Sequence, residues 1–345
     1  MTMASPFYFV GTAMLLLVFL SQAADFLIPI AIAFLVWFMI NAFADALVRH
    51  LPFIGRISWL PVFVASLLIM LMVGLAGSAI FSTFAQLSTD LARATLKIET
   101  FINELLMTFD ISTKFSVPER IEASLSEILK KIIDSVQLIA SDGSTIIIYV
   151  LFLFADQPFF SRKLKAIIPN ETRRTHVEAV LKRISDDVRT YMYLMTLMSL
   201  LTGFATYCIC LWFDVPAAIF WAFLAFILNY IPTVGTILGV GFPTVFALAT
   251  FSNPDSVVAL GVTLFVMQFL IGNILLPKLM GSQLDISQFV VILSLFGWAA
   301  VWGITGMLLS VPLTVIIMIV LYQFPSTRQI GLALSKTGKP IVLHD

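Results

Sequence analysis

Several uncharged polar side chains lie inside a long apolar part of the chain, from residue 191 to residue 327. Those that bear most directly on function are Asn229, Tyr230, Thr233, Gln268 and Asn273. Amide and hydroxyl groups in such a segment have two common uses. They bind the polar groups of an uncharged, hydroxylated solute, or they hydrogen-bond one helix to another. The sequence leaves both interpretations open.

Ionisable side chains are scarce in the same region, which limits the chemistry that it can perform. Residues 191–327 carry four formal charges, all at the ends of predicted membrane spans: Asp214, Asp255, Lys278 and Asp285. A cation pump or proton relay is typically built from several ionisable groups within the membrane. The sequence therefore favours a neutral solute over an ion.

Asp156 is the carboxylate of greatest interest, because it lies beside Pro158 near the end of an earlier apolar run. A role in proton exchange during transport is one interpretation. Pairing with Arg162 or capping of the following helix is the simpler one. We keep Asp156, Asp214 and Asp285 as the candidates for ion or proton coupling.

The sequence shows no pattern typical of an enzyme or of ATP-driven transport. It has no Walker A sequence, no G-x-G-x-x-G that opens a helix and no nucleophile elbow. Cys208 and Cys210 lie in one apolar run, and the three histidines are far apart, so neither a metal site nor a disulfide is indicated. We expect a protein that is not an enzyme and holds no metal or cofactor.

The composition indicates a membrane protein. The chain has 345 residues, of which 60% are hydrophobic and 12% charged, whereas soluble domains are about 25% charged. Basic and acidic residues are equal in number, at 20 each, so the net charge does not indicate a nucleic-acid partner. The expected partners are the lipid bilayer and a small-molecule substrate.

Apolar runs near the ~20 residues needed to cross a bilayer predict an all-α polytopic fold with about eight membrane helices and re-entrant or broken hairpins. The runs are 7–23, 26–43, 59–84, 145–160, 191–213, 217–230, 232–251, 257–276 and 289–324. The last run is too long for one upright helix, because about 36 residues at 1.5 Å each exceed the ~30 Å hydrocarbon core. We expect two segments or a re-entrant hairpin there.

The distribution of Lys and Arg predicts the orientation. Residues 161–190 contain eight basic and four acidic residues, which indicates a cytoplasmic loop and cytoplasmic termini. The predicted regions are N-terminal membrane helices at 1–85, an outer amphipathic helical arm at 86–142, a transport core at 143–327 with a cytoplasmic helix at 170–190, and a tail at 328–345. Asn170 is the candidate N-cap of the cytoplasmic helix. Whether the arm contacts its own helices, another subunit or the membrane stays open.

Two clusters of helix-breaking residues interrupt the transport core. The first contains Pro232, Gly235, Gly239, Gly241 and Pro243, and the second contains Gly303, Gly306 and Pro312. Unpaired backbone groups cost several kcal/mol in lipid unless they face protein or water. We therefore predict two broken hairpins that face each other across a polar route. Glycines four residues apart also allow close helix packing, which is the alternative.

Three motifs in this region resemble the AI-2E family of bacterial transporters, and in particular the branch that exports autoinducer-2. They are Asn-Tyr-Ile-Pro-Thr-Val-Gly at 229–235, Gly-Asn-Ile-Leu-Leu-Pro-Lys-Leu-Met-Gly at 272–281 and Gly-Met-Leu-Leu-Ser-Val-Pro-Leu-Thr at 306–314. The resemblance extends from about residue 145 to residue 314 and preserves the order and spacing of the motifs.

The resemblance implies a bacterial inner-membrane protein with an extramembrane helical arm and homo-oligomeric assembly. Family members are described as exporting the furanone autoinducer-2, used in quorum sensing, and some as exchanging sodium or lithium for protons. Relatives often carry an acidic residue near the second motif, where this chain has Ile271 and Leu276. This departure weakens the antiporter interpretation.

The leading hypothesis is a secondary transporter or facilitator that exports a small neutral metabolite, with autoinducer-2 as the best match. A Na⁺(Li⁺)/H⁺ antiporter and a membrane scaffold that transports nothing are the alternatives. The predicted substrate path consists of Asn229, Tyr230, Pro232, Thr233, Gly235, Gln268, Asn273, Pro277, Gly306 and Pro312.

Overall fold

A computed structural model of the protein describes residues 4–51, 53–57, 59–71, 141–251, 253–280 and 286–338, together with a few positions between 100 and 134. The predicted arm at 86–142 lies almost entirely outside the described residues, as does Asp285. In the described ranges the chain is helical and contains no strand.

The helices follow one another along the chain with short connections. They are α1 (Ala4–Gln22), α2 (Ala24–His50), α3 (Leu60–Leu71), α4 (Gly143–Asp156), α5 (Phe160–Ile167), α6 (Glu171–Trp212), α7 (Ala218–Leu228), α8 (Val234–Thr250), α9 (Pro254–Phe269), α10 (Leu276–Met280), α11 (Gln288–Gln323) and α12 (Arg328–Leu334). A 3₁₀ turn at Gln157–Phe159 joins α4 to α5, and a π-helical turn at Leu270–Leu275 joins α9 to α10.

Five of these helical segments are long and apolar enough to cross a membrane. They are Ala24–His50, Gly143–Ile167, Glu171–Trp212, Pro254–Leu279 and Gln288–Gln323. Three shorter apolar helices, α3, α7 and most of α8, accompany them. The prediction of an all-α polytopic membrane protein is confirmed.

The chain forms two compact units. The first unit comprises Met1–Ala65, Leu138–Tyr193 and Ser282–Asp345, and the second comprises Ser66–Gln137 and Leu194–Gly281. The long helix α6 therefore contributes its polar first half to the first unit and its apolar second half to the second unit. Each unit brings together helices that are distant in sequence.

Helix α6 joins two elements that the sequence analysis treats separately, a cytoplasmic helix and a membrane span. Asn170 caps its start, as predicted, because its side-chain oxygen accepts a hydrogen bond of 3.0 Å from the Arg173 amide. The 42 residues of α6 contain no proline and one glycine, Gly203, so nothing in them ends the helix at residue 191. At 1.5 Å per residue α6 is about 63 Å long, twice the hydrocarbon thickness.

In the first unit, α2 packs along α4 and contacts the polar half of α6. The Phe43 and Tyr193 rings meet edge to face with their centres 5.8 Å apart. Two residues closer to the end of α2, Asp45 accepts a hydrogen bond of 3.2 Å from the Arg189 guanidinium. These contacts fix the middle of α6 against the end of α2.

Helix α11 is a helical hairpin. Trp302 and Gly303 leave the helical conformation, and Gly303 has φ 59° and ψ −139°, a region open to glycine. The Trp298 indole donates a hydrogen bond of 3.3 Å to the Thr314 hydroxyl. Sixteen residues of straight helix would separate them by about 24 Å along the axis. The chain therefore reverses at 302–303, and the prediction that 289–324 is not one upright helix is confirmed.

The hairpin is fixed at both its tip and its base. At the tip, the Trp302 indole donates a hydrogen bond of 3.0 Å to the Leu20 carbonyl near the end of α1. At the base, the Ser287 amide donates to the Leu334 carbonyl at 3.0 Å. The helix continues through Pro312, so the prediction that Pro312 breaks it is wrong. Proline keeps a helical φ and removes one N–H, a defect that a packed membrane helix tolerates.

Gly306 allows the two halves of α11 to approach each other. A methyl group at this position would overlap the Trp298 carbonyl oxygen, whereas a methyl group at Gly297 would meet nothing within 4 Å. We expect Gly306→Ala to lower the free energy of unfolding by more than about 2 kcal/mol. Gly297→Ala, which replaces glycine in a helix interior, should raise it by up to ~1 kcal/mol.

The midpoint of thermal unfolding in detergent, followed by size-exclusion chromatography, measures both effects. Equal midpoints for Gly306→Ala and the unmodified protein would contradict the close approach at the hairpin tip.

Candidate functional site

The break at 229–233 is a tight turn between α7 and α8. Four amides in and after the turn donate to carbonyls in the turn or at the end of α7: Tyr230 to Ile227 at 3.1 Å, Ile231 to Leu228 at 2.8 Å, Val234 to Pro232 at 2.7 Å and Gly235 to Ile231 at 2.9 Å. The prediction that the break leaves its amides in need of a polar environment is wrong for these four, because short-range turn bonds satisfy them.

Helix α8 is continuous after this turn. It begins at Val234 and passes through Gly239, Gly241 and Pro243 without interruption, so the prediction that these three residues contribute to the break is wrong. Thr233 takes up the reversal instead, with φ 65°. The irregular backbone is confined to residues 229–233.

One glycine of the first cluster is needed for close packing between α7 and α8. A methyl group at Gly235 would overlap the Leu228 carbonyl oxygen, whereas one at Gly239 would make an ordinary contact of 3.9 Å with the Ala225 Cα. The packing alternative left open by the sequence therefore accounts for Gly235.

Side chains from three helical segments form a hydrogen-bonded group in the second unit, which we call the polar cluster: Thr196, Ser199, Asn229, Tyr230 and Gln268. The Asn229 amide nitrogen donates to Ser199 Oγ at 3.1 Å, and its oxygen accepts from Gln268 Nε2 at 3.2 Å. The Tyr230 hydroxyl donates to Thr196 Oγ1 at 2.6 Å. Three of the five sequence-predicted polar residues therefore meet here.

The polar cluster is uncharged and mostly buried. Thr196, Ser199 and Gln268 are each 5% exposed or less, and Asn229 and Tyr230 are partly buried. The cluster contains amides and hydroxyls and no carboxylate, and in the described part of the chain no three His, Cys, Asp or Glu residues are placed to hold a metal ion. Its groups can exchange hydrogen bonds with a neutral solute, while the carboxylates that usually bind and release a coupling ion within a membrane do not belong to it.

Helix α6 supplies the members of the cluster that sequence analysis missed. Thr196 and Ser199 lie on one face of α6, and Thr202 and Thr206 continue that face. The missed signal is this recurrence of hydroxyl residues every three or four positions in an otherwise apolar helix. Gly203 lets α7 come close, since a methyl group there would lie 2.9 Å from the Ala222 carbonyl oxygen.

The other predicted path residues of the second unit lie on irregular or exposed backbone. Thr233 is exposed in the turn, and Asn273 and Pro277 are exposed in and after the π-helical turn. Pro277 explains that turn, because it has no N–H to donate to the Asn273 carbonyl four residues earlier. None of the three takes part in the hydrogen bonds of the polar cluster described above.

Gly306 and Pro312 are buried in the α11 hairpin of the first unit. The structure shows their role in that hairpin. That they line one route together with the polar cluster, and that the two hairpins face each other, stay predictions.

The two candidate carboxylates that the structure describes, Asp156 and Asp214, are exposed. Asp156 forms an ion pair of 2.7 Å with Lys163, so the predicted pairing with Arg162 is wrong by one position. Lys163 lies seven residues, or two helical turns, after Asp156 and therefore on the same side. Arg162 instead lies over the Phe159 ring at 5.8 Å, and Asp156 makes no side-chain cap. Asp214 is exposed in the α6–α7 connection with φ 53°.

Asn229 is the central member of the polar cluster, and we expect Asn229→Leu to lower the free energy of unfolding by about 1–2 kcal/mol, because Ser199 and Gln268 lose their partner. Gln268→Leu should act in the same direction. The double variant should lose less than the sum of the two, by about 0.5 kcal/mol or more, since both changes remove one shared bond.

A denaturant titration in mixed micelles measures these free energies. Thr263→Val is the matched control, because Thr263 lies on α9 with Gln268 but its hydroxyl bonds to the Ala259 carbonyl of its own helix at 2.7 Å. Its effect should add to that of Asn229→Leu. Full additivity between Asn229→Leu and Gln268→Leu would show that the two amides are not coupled.

Known proteins resemble this chain over nearly its whole length. A family model described as AI-2E family transporter matches residues 8–326. The AI-2 transport protein TqsA of Escherichia coli (strain K12) is 26% identical over 334 residues, which cover 95% of each chain. A putative transport protein of Haemophilus influenzae is 25% identical over 93% of each chain. The putative transport protein YhhT of E. coli (strain K12) is 36% identical over 49% of this chain and 46% of its own.

Proposed function

This chain belongs to the AI-2E family of transporters, and from that membership we propose that it exports a small, neutral, hydroxylated metabolite across the bacterial inner membrane. The multi-pass membrane fold and the naming of its relatives as transport proteins support a transporter. The observation that carries the choice of a neutral solute is the polar cluster, which is built from amides and hydroxyls without a formal charge.

Hydrogen-bond exchange is the proposed mode of recognition. In the structure Asn229 is paired on both sides, to Ser199 and to Gln268. A solute with hydroxyl groups can take over these bonds one for one, so that no polar group of the protein is left unpaired in an apolar setting. An apolar solute of the same size cannot take over these hydrogen bonds, so the cluster would reject it.

Thr202 adds an unused polar atom one turn from Ser199 on α6. Its hydroxyl oxygen is buried and has no hydrogen-bond partner among the described residues. An unsatisfied buried hydroxyl costs about 1–3 kcal/mol, which a solute hydroxyl would relieve. Thr202 therefore belongs to the proposed binding site together with the polar cluster.

Autoinducer-2 is the proposed solute within this class. The support is the relative TqsA, an AI-2 transport protein that aligns with 95% of this chain, and the agreement between a hydroxylated neutral solute and an uncharged site. We further propose that both termini lie in the cytoplasm, because residues 161–190 are rich in Lys and Arg, and that the chain assembles as a homo-oligomer.

Reconstitution in liposomes tests the proposal. The unmodified protein should release trapped labelled autoinducer-2 from liposomes, and Asn229→Leu and Gln268→Leu should each slow release by about tenfold, the equivalent of one to two hydrogen bonds. Ser199→Ala, a smaller change, should slow release by roughly threefold while the protein elutes as before on size exclusion. Thr263→Val should leave release unchanged.

Two other outcomes would replace this function. Dissipation of a pH gradient by sodium, without release of autoinducer-2, would support the antiporter, with Asp156 and Asp214 as the first carboxylates to neutralise. If protein that is folded and oriented shows neither activity, the scaffold is supported. Loss of folding in all three cluster variants would assign the cluster to helix packing.

A further inference from the structure

An apolar groove lies between α2 and α4 in the first unit. Its volume is about 230 Å³, and its walls are Ile30, Ala33, Phe34, Tyr149, Phe152 and Leu153. Asp156, the last residue of α4, closes one end. Phe34 and Phe152 are 44% and 67% exposed, so the groove opens to the side.

The setting of the groove is a membrane. Both α2 and α4 belong to segments long and apolar enough to span one, and a side-facing apolar wall on such helices meets acyl chains. At the Asp156 end the Trp37 indole donates a hydrogen bond of 3.1 Å to the Gln157 side chain. Tryptophan with a satisfied N–H is typical of the membrane–water interface. That end of the groove therefore lies at the level of the lipid headgroups.

Helix α5 follows this end directly and is amphipathic. Phe160, Leu164 and Ile167 recur at i, i+4 and i+7 on one face, and Phe160 and Ile167 are more than half exposed. Arg162 and Lys165 lie on the opposite face and are also exposed. A short helix with an exposed apolar face and a cationic face lies in the interface plane.

An ion pair holds α5 against the end of the groove. Lys163 contacts Asp156 at 2.7 Å, which satisfies the groove's carboxylate and brings the cationic helix beside the opening. Arg162, Lys163 and Lys165 follow Asp156 within nine residues, so the headgroup end carries three cations and one carboxylate. The net positive charge of these groups matches an anionic headgroup and not a zwitterionic one. A guanidinium such as that of Arg162 binds two phosphate oxygens at once.

We propose that the α2–α4 groove and helix α5 form a binding site for an anionic phospholipid. One acyl chain occupies the groove along Phe34 and Phe152, and the phosphate and anionic headgroup contact Arg162 and Lys165. Phe160 and Ile167 enter the adjoining interface. The site is independent of the proposed transport function, since it uses none of the residues of the polar cluster.

Native mass spectrometry of the full-length protein in detergent tests this site, with phosphatidylglycerol and phosphatidylcholine of identical acyl chains as probes. The unmodified protein should retain phosphatidylglycerol at least about fivefold more tightly than phosphatidylcholine. Arg162→Gln/Lys165→Gln, which leaves the Asp156–Lys163 pair intact, should abolish the preference. The matched control Arg173→Gln/Lys182→Gln removes two exposed charges from the start of α6 and should retain it.

A second variant separates the groove from the headgroup contacts. Ile30→Trp fills the groove and should weaken retention of both lipids by a similar factor, while the charge variant removes the discrimination between them. Equal retention of the two lipids by the unmodified protein, or equal loss in the control variant, would overturn the site. A third outcome would also overturn it. If Ile30→Trp dissociates an oligomer and leaves lipid retention unchanged, a second copy of the chain covers the groove.

Discussion

The structure depends on one constraint, which is that a polar group in hydrocarbon must find its partner within the protein. The turn at 229–233 meets it with short-range amide bonds to Ile227, Leu228, Ile231 and Pro232. The α11 hairpin meets it with indole donors, from Trp298 to a hydroxyl and from Trp302 to a carbonyl. Side-chain amides and hydroxyls within the second unit meet it by pairing with one another. Each of these polar groups therefore has its partner within the chain, either nearby in sequence or on another helix.

This pairing shapes how the proposed transporter would work. A cluster whose members already satisfy one another is a resting arrangement, and a solute would enter it by replacing existing bonds. The free energy of exchange would be small, because each bond lost is matched by one formed. Selectivity would then come from the penalty for a solute that cannot make the replacement, which grows with each polar group left unpaired.

Sequence analysis predicted the apolar spans, the Asn170 cap and the reversal within 289–324, because these depend on composition, local capping and length. It did not predict the hydroxyl face of α6, since Thr196 and Ser199 gain their meaning from partners 30 or more residues away. Nor did it predict that α8 would pass through Gly241 and Pro243, where packing overrides weak local propensity. It gave the three central side chains of the site, Asn229, Tyr230 and Gln268, but not the way they pair.

Irregular backbone lies directly beside both partners of the central amide pair. Asn229 opens the turn that contains Thr233 with its positive φ, and Gln268 is followed within two residues by the π-helical turn that Pro277 imposes. π-helical turns inside helices are frequent at functional sites. In the proposed function, the hydrogen bonds that a solute would replace therefore lie next to the two places where helices of the second unit are interrupted. Pro277 explains one interruption, and residues 229–233 form the other.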